Sequence, residues 1–343
     1  MKRHTAIIVG ALILIALIFS QSGEVVAEDS LVIQIWSGTF HDVYTEEVVE
    51  PFEEKYDVEV ITTEGLEWFT LPKIAEGVEA GDPEVDLVQL TVSDFMRGKE
   101  MGLWEELDRD KVPNLDDIYE YYVDDYGVGF NIYSMGLLYN EDSEEEPPQD
   151  LDDFWDDKYN VTIGETHEQY LIPMVNHMLT GEYTPVDLDA VFEKLGELDN
   201  IHTFNVSHAE VRDLIARDEI DLSEVFNSRA GLMIDDGLNV EFVETNSPFI
   251  GVDYWGVSKG GNSELAQKFI NFSLAKEQQR ANAEAQYLGP TNENVELDED
   301  LVEERGIPYG DLLDDALTME DYEYIAENLN DWSERWTRWM AGY

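Results

Sequence analysis

The chain has 343 residues, 43% of them hydrophobic, enough to bury a large core in one domain or two. Its 77 Asp and Glu against 20 Lys and Arg give a formal charge of -57 spread along the whole length, which argues against a nucleic-acid partner and against a local acidic tail. Such a surface fits work in molar salt, where a Debye length of roughly 3 Å removes most of the self-repulsion, and the absence of cysteine excludes disulfides, thiolate metal sites, cysteine nucleophiles and a lipid-bearing N-terminal cysteine.

The first residues, MKRHTAIIVGALILIALIFSQSGEVVAEDS, combine a basic start, an apolar stretch from Ala6 to Phe19 and small residues before Glu28, the layout of a secretory signal. The stretch is shorter than the roughly 20 residues of a membrane span, which favours cleavage after Ala27 over a permanent anchor. The remainder is expected outside the cytoplasm, secreted or at the cell surface. LVIQIW then reads as a strand, TEEVVEPFEEKY as a helix capped by Thr45, and VEVITTEG as a second strand. LPKIAEGVEAG predicts a helix ending near Gly81, and VDLVQL a buried parallel strand. The β-α-β-α-β order predicts a doubly wound α/β lobe.

VSDFMRGKEMGLWEEL predicts a helix closing at Gly102, and VGFNIYSMGLLYN a long strand leaving the first lobe. After the acidic loop EDSEEEPPQD a second alternation follows: strand VTIGE, helices through YLIPMVNHML and DAVFEKLGEL, strand IHTFNV, helix AEVRDLIARDE and strand LSEVFN. FIGVDYWGVSKGGNSELAQKFINFSLAKEQQ supplies a strand, a turn and an amphipathic helix capped by Ser263. Near the end Trp332, Trp336 and Trp339 form one helical stripe, expected to dock on the chain's own domain.

Five stretches in this order resemble the extracellular solute-binding proteins of ABC importers, in the group that contains the spermidine/putrescine-binding and ferric-iron-binding proteins. They are IQIWSGTF with EPFEEKYDVEV; VDLVQLTVSDFMRGKEMGLWEELD with KVPNLDD; GLLYNEDSEEEPPQDLDDFWDDKYNVTIGE; DYWGVSKGGNSELAQKFINFSLAKEQQ; and YLGPTNENV. The resemblance implies a two-lobed type II periplasmic-binding-protein fold, each lobe a doubly wound, mostly parallel sheet, with two hinge crossovers in GFNIYSMGLL and SPFIGVDYW. The expected division is a signal at 1–27, one lobe from 28–132 and 254–298, and the other from 133–253 and 299–343. A monomer that clamps a small molecule and hands it to ABC permease subunits in the membrane follows, with no cofactor and no catalytic residue.

The cleft of such a fold lies at the C-terminal ends of the parallel strands. Matched to the polyamine-binding relatives position by position, the expected ligand-binding residues are Trp36, Ser37, Thr91, Ser93, Glu165, Glu168, Phe226, Asp253 and Trp255. Aromatic rings would stack on methylenes and carboxylates hold ammonium groups. A tryptophan of those relatives is replaced here by Gly251, for which Tyr254 or Trp255 is the substitute. Ferric iron is a rival ligand through His41, although the tyrosine pair that iron-binding relatives use is replaced by Phe226-Asn227-Ser228-Arg229. Arg229 opens a third option, a thiamine derivative or organophosphate, since an arginine in the cleft repels a polyamine and holds an anion. An exported hydrolase using Glu165 with Asp253 or Glu168 is the alternative of another class. THEQY is not a zinc-protease motif, because Leu171 stands where the second histidine would be.

Overall fold

The computed structural model describes residues 30–65 and 67–343, so the expected signal at 1–27 and its Ala27 junction lie outside the described residues. Strand β1 (Ser30–Trp36) leads into α1 (Thr39–Tyr44), a π-helical turn over Thr45–Val49 and α2 (Glu50–Tyr56). Thr45 is thus inside a continuous helix and not its cap. Phe40, Tyr44, Val48 and Phe52 are all buried at a four-residue spacing, wider than the α-helical repeat of about 3.6. The π turn takes up the difference and keeps this stripe on the core.

Strand β2 (Glu59–Gly65), α3 (Glu67–Ala80), β3 (Leu87–Thr91), α4 (Val92–Glu100), β4 (Val123–Asp124) and β5 (Gly127–Asn140) complete the first half. The second half runs β6 (Val161–Gly164), α5 (Glu168–Thr180), α6 (Leu188–Leu195), β7 (Ile201–Asn205), α7 (His208–Ala216), β8 (Leu222–Phe226), α8 (Asn227–Asp235), β9 (Val240–Val243) and β10 (Phe249–Val257). The chain ends with α9 (Ser263–Ser273), α10 (Lys276–Gln286), β11 (Gly289–Pro290), α11 (Glu299–Arg305) and α12 (Met319–Met340). The helix expected to start at Ser263 is capped instead by Asn262, whose side chain accepts from Leu265 N, and it breaks before α10.

The strands follow the order β2-β1-β3-β10-β5-β8-β6-β7, with β4, β9 and β11 paired to β5. At one end β1 is parallel to β2 and β3; at the other β6 is parallel to β7 and β8. Between these groups β10 and β5 run antiparallel to each other and to their outer neighbours, so they are the two crossovers. Every residue of both is buried, as expected for central strands covered on both faces.

Helix α12 belongs to neither half alone. It packs against α4 of the first half and α5 of the second, and the Tyr322 hydroxyl donates to the carbonyl of Ile250 on β10 at 2.8 Å. Trp332 and Trp336 are buried and Trp339 packs on Phe204, so the stripe docks on the chain itself. No helix among the described residues is long and apolar enough to cross a membrane.

Candidate functional site

A cavity of about 590 Å³ opens where the C-terminal ends of the two parallel groups face each other. On the first side, Trp36 ends β1, Ser37 follows it and Phe40 opens α1; on the second, Glu165, Thr166 and His167 follow β6, His208 opens α7, and Phe226 ends β8. Tyr133 from β5 and Asp253 from β10 form the floor.

The acid at the floor is held by a relay. Gln89 accepts from the Trp36 backbone N–H through Oε1 at 3.0 Å and reaches Asp253 Oδ2 through Nε2 at 3.4 Å. A register shift in β10 between Asp253 and Tyr254 turns the strand at this point. Burial pushes the Asp253 carboxyl up to about 7, against the hydrogen bonds of Trp36 and Gln89 and the positive charge of Arg229.

Arg229, in the first turn of α8, lines the same cavity and lies over the Phe40 ring at 5.9 Å. It has no ion-pair partner within 4 Å among the described residues. Burial pulls its pKa below the usual arginine value while Asp253 acts the other way. The cavity therefore contains an acid and a base that see each other without being joined.

The aromatic wall lies on the second side. Phe226 stands edge-on to Tyr133 and Tyr170, with centroids 5.2 and 5.1 Å away. Tyr133 explains Gly251: the two are paired in register, and a Cβ on Gly251 would come within 2.4 Å of the Tyr133 ring. The aromatic that the sequence lacks at 251 is thus supplied by the neighbouring strand, a substitution invisible without the pairing of β5 with β10.

Of the residues expected from the sequence, Trp36, Ser37, Thr91, Glu165, Phe226 and Asp253 line the cavity. Ser93, Glu168 and Trp255 do not. Ser93 is buried within α4. Glu168 turns away and accepts from Ser333 of α12 at 2.5 Å, so the two acids of GETHEQY diverge, one to the cavity and one to the C-terminal helix. Trp255 and Tyr254 are both buried, stacked on Phe130 and Phe95 respectively, because the sheet is covered on both faces and alternation sends neither to the cleft. His41 is also elsewhere, its Nε2 3.0 Å from Thr62 Oγ1. No group of three or more His, Asp or Glu among the described residues could hold a metal. Tyr133, Tyr170, His167 and His208 are not among the residues expected from the sequence, whereas Arg229, expected there as an anion-holding residue of the cleft, does line the cavity.

Comparison with known proteins decides the family: the model of the bacterial extracellular solute-binding proteins matches residues 47–308. The chain belongs to that family. As a solute-binding protein of an ABC transporter it resembles a gamma-aminobutyric acid-binding protein of Pseudomonas aeruginosa, 22% identical over 286 residues, or 79% of this chain and 80% of the relative. An ABC transporter substrate-binding protein of Bradyrhizobium japonicum superposes with a TM-score of 0.80 at 23% identity, covering 91% of this chain and 99% of that one. A GABA receptor structure gives a TM-score of 0.77 at 24% identity, covering 92% and 98%. Such neighbours are two-lobed periplasmic binding proteins, and the mixed α/β architecture seen here is of that fold class.

Proposed function

We propose that this solute-binding protein captures a small zwitterion, an amino acid or ω-amino acid of the γ-aminobutyrate type, and delivers it to an ABC permease. The observation that carries the reading is Arg229, a guanidinium in the cavity with no ion-pair partner among the described residues, facing the buried acid Asp253. A carboxylate suits the planar fork of Arg229, and an ammonium suits Asp253 in its ionised form. Trp36, Tyr133 and Phe226 would cover the methylenes between the charges. Arg229 opposes a polyamine, which has no anionic group to offer it. The names of a relative and of a solved neighbour, which bind γ-aminobutyrate, point the same way.

A polyamine is the second reading, favoured by Glu165, which faces the cavity together with Asp253 and the aromatic wall. The charge of -57 supports operation in molar salt, where exposed carboxylates attract an ammonium weakly and selectivity must arise inside the closed cleft. We take the protein to be an exported monomer that closes by rocking about β5 and β10.

Thermal melting in molar salt tests the reading, since a ligand in excess raises stability by RT ln(1 + [L]/Kd). γ-Aminobutyrate is expected to raise the melting temperature, with putrescine, spermidine, ferric citrate and phosphate esters giving little. A shift with putrescine or spermidine and none with γ-aminobutyrate overturns it.

A further inference from the structure

The cavity volume of about 590 Å³ lies in the range that encloses drug-sized molecules, ~300–1,000 Å³, and exceeds what γ-aminobutyrate fills. Beyond Arg229 and Asp253 the space runs to two imidazoles, His167 at the start of α5 and His208 at the start of α7, with ring centroids 5.9 Å apart. These rings differ in what their nitrogens can do.

His167 Nδ1 lies 2.7 Å from Oε1 of the buried Glu224, and the same oxygen accepts from the Gly164 N–H at 2.6 Å. Residue 164 has to be glycine for this, because a Cβ there would come within 2.4 Å of His167 Nδ1. A carboxylate only accepts, so Nδ1 carries a proton, and in the neutral ring Nε2 is left as an acceptor. His208 has the opposite arrangement. Its Nδ1 is shut off from solvent with no hydrogen-bond partner. An orphaned buried lone pair costs less than an orphaned buried N–H, so the proton sits on Nε2, which becomes a donor. Burial, with the positive charge of Arg229, holds the His208 pKa well below its usual value, which keeps the ring neutral.

We infer that His167 and His208 form a subsite for a neutral group that donates and accepts a hydrogen bond, a hydroxyl or carboxamide on the tail of the zwitterion held by Arg229 and Asp253. The inference rests on the reading of Arg229 and Asp253 above. It makes the natural ligand an amino acid with a polar, uncharged tail, and it gives Glu224 a positioning role through the tautomer of His167.

Calorimetric titration in molar salt with amino acids of equal chain length tests it: glutamine and 5-hydroxynorvaline, which both donate and accept; glutamate, which only accepts; ornithine, which only donates; and norvaline, which does neither. Glutamine and 5-hydroxynorvaline are expected to bind about tenfold more tightly than norvaline, the effect of a correctly paired neutral group. In His208→Phe the ratio of glutamine to norvaline affinity is expected to fall to about one, and Arg229→Ala to abolish binding of the whole series. Equal affinity for all five overturns the subsite while leaving the zwitterion reading intact. Ornithine as the tightest ligand overturns it in favour of Glu165, and glutamate as the tightest shows two donors instead of a matched pair. Failure of the whole series and of γ-aminobutyrate to bind defeats the reading of Arg229 and Asp253, and the subsite with it.

Discussion

The two sides of the cleft are built on different principles. On the first, polar groups are committed to one another: Trp36 to Gln89, Gln89 to Asp253, and the Thr91 hydroxyl to Asp94 N as the cap of α4. On the second, aromatic rings surround the Arg229 guanidinium, which has no ion-pair partner among the described residues, and two imidazoles. The first side is preorganised and the second is left open to be completed by a solute. A ligand that must satisfy both sides brings them together, which is what a clamp requires.

Removing the charge on the open side is the most severe way to break this contrast. Arg229→Ala is expected to weaken binding of the zwitterion by about 2–5 kcal/mol, the range for losing one partner of a buried charge contact. Because Arg229 has no ion-pair partner among the described residues, the melting temperature of the empty protein should stay level or rise. Titration calorimetry and melting of the same sample separate the two effects, and a fall in empty-state stability would place Arg229 on the committed side.

Asp253 sharpens the contrast through pH. Its folded pKa of about 7 lies above the roughly 3.9 of an unfolded aspartate, so the folded state binds this proton more tightly. Its contribution to stability is present below about pH 4 and lost as pH rises through about 7. Asp253→Asn should flatten that part of the curve and melt above the wild type at pH 8. An ammonium binds the ionised form, so ligand binding near pH 6 should expel a proton, visible as a dependence of the measured heat on the buffer's ionisation enthalpy.

The aromatic wall is expected to contribute less. Phe226→Ala should weaken binding by about 1–2 kcal/mol, as loss of stacking area and cation-π contact would, and the loss should be shared by every ligand, unlike that of His208→Phe. Smallest of all, Glu165→Gln should change zwitterion affinity by less than about 1 kcal/mol, the range of an exposed charge. Glu168→Gln should leave affinity alone and act, if anywhere, on the docking of α12 through Ser333, seen as a small change in melting temperature.

The parallel strands are legible because each is a short apolar run between turn residues, and the ends of β1, β6 and β8 lead to Trp36, Glu165 and Phe226, while Asp253 lies in the middle of the crossover β10. What could not be read is what depends on pairing or direction. Tyr133 reaches the cavity only because β5 lies beside β10 at Gly251. Glu168 leaves it because the first turn of α5 points that acid at a helix more than a hundred residues away in sequence. Trp255 looked available through strand alternation, yet both faces of its sheet are covered. His208 carried no sequence signal, since its meaning depends on a neighbour, His167, from another strand's end.

Helix α12 sets a further quantity. It touches α4, α5 and the crossing strand at Ile250 together, so rocking one lobe on the other must slide at least one of these contacts. Whatever free energy those contacts hold in the open form reduces the fraction of molecules ready to close, and measured affinity is the intrinsic value scaled by that fraction. Each 1.4 kcal/mol of such bias costs about a factor of ten. The C-terminal helix, which never meets the solute, thereby adjusts the concentration at which the protein fills.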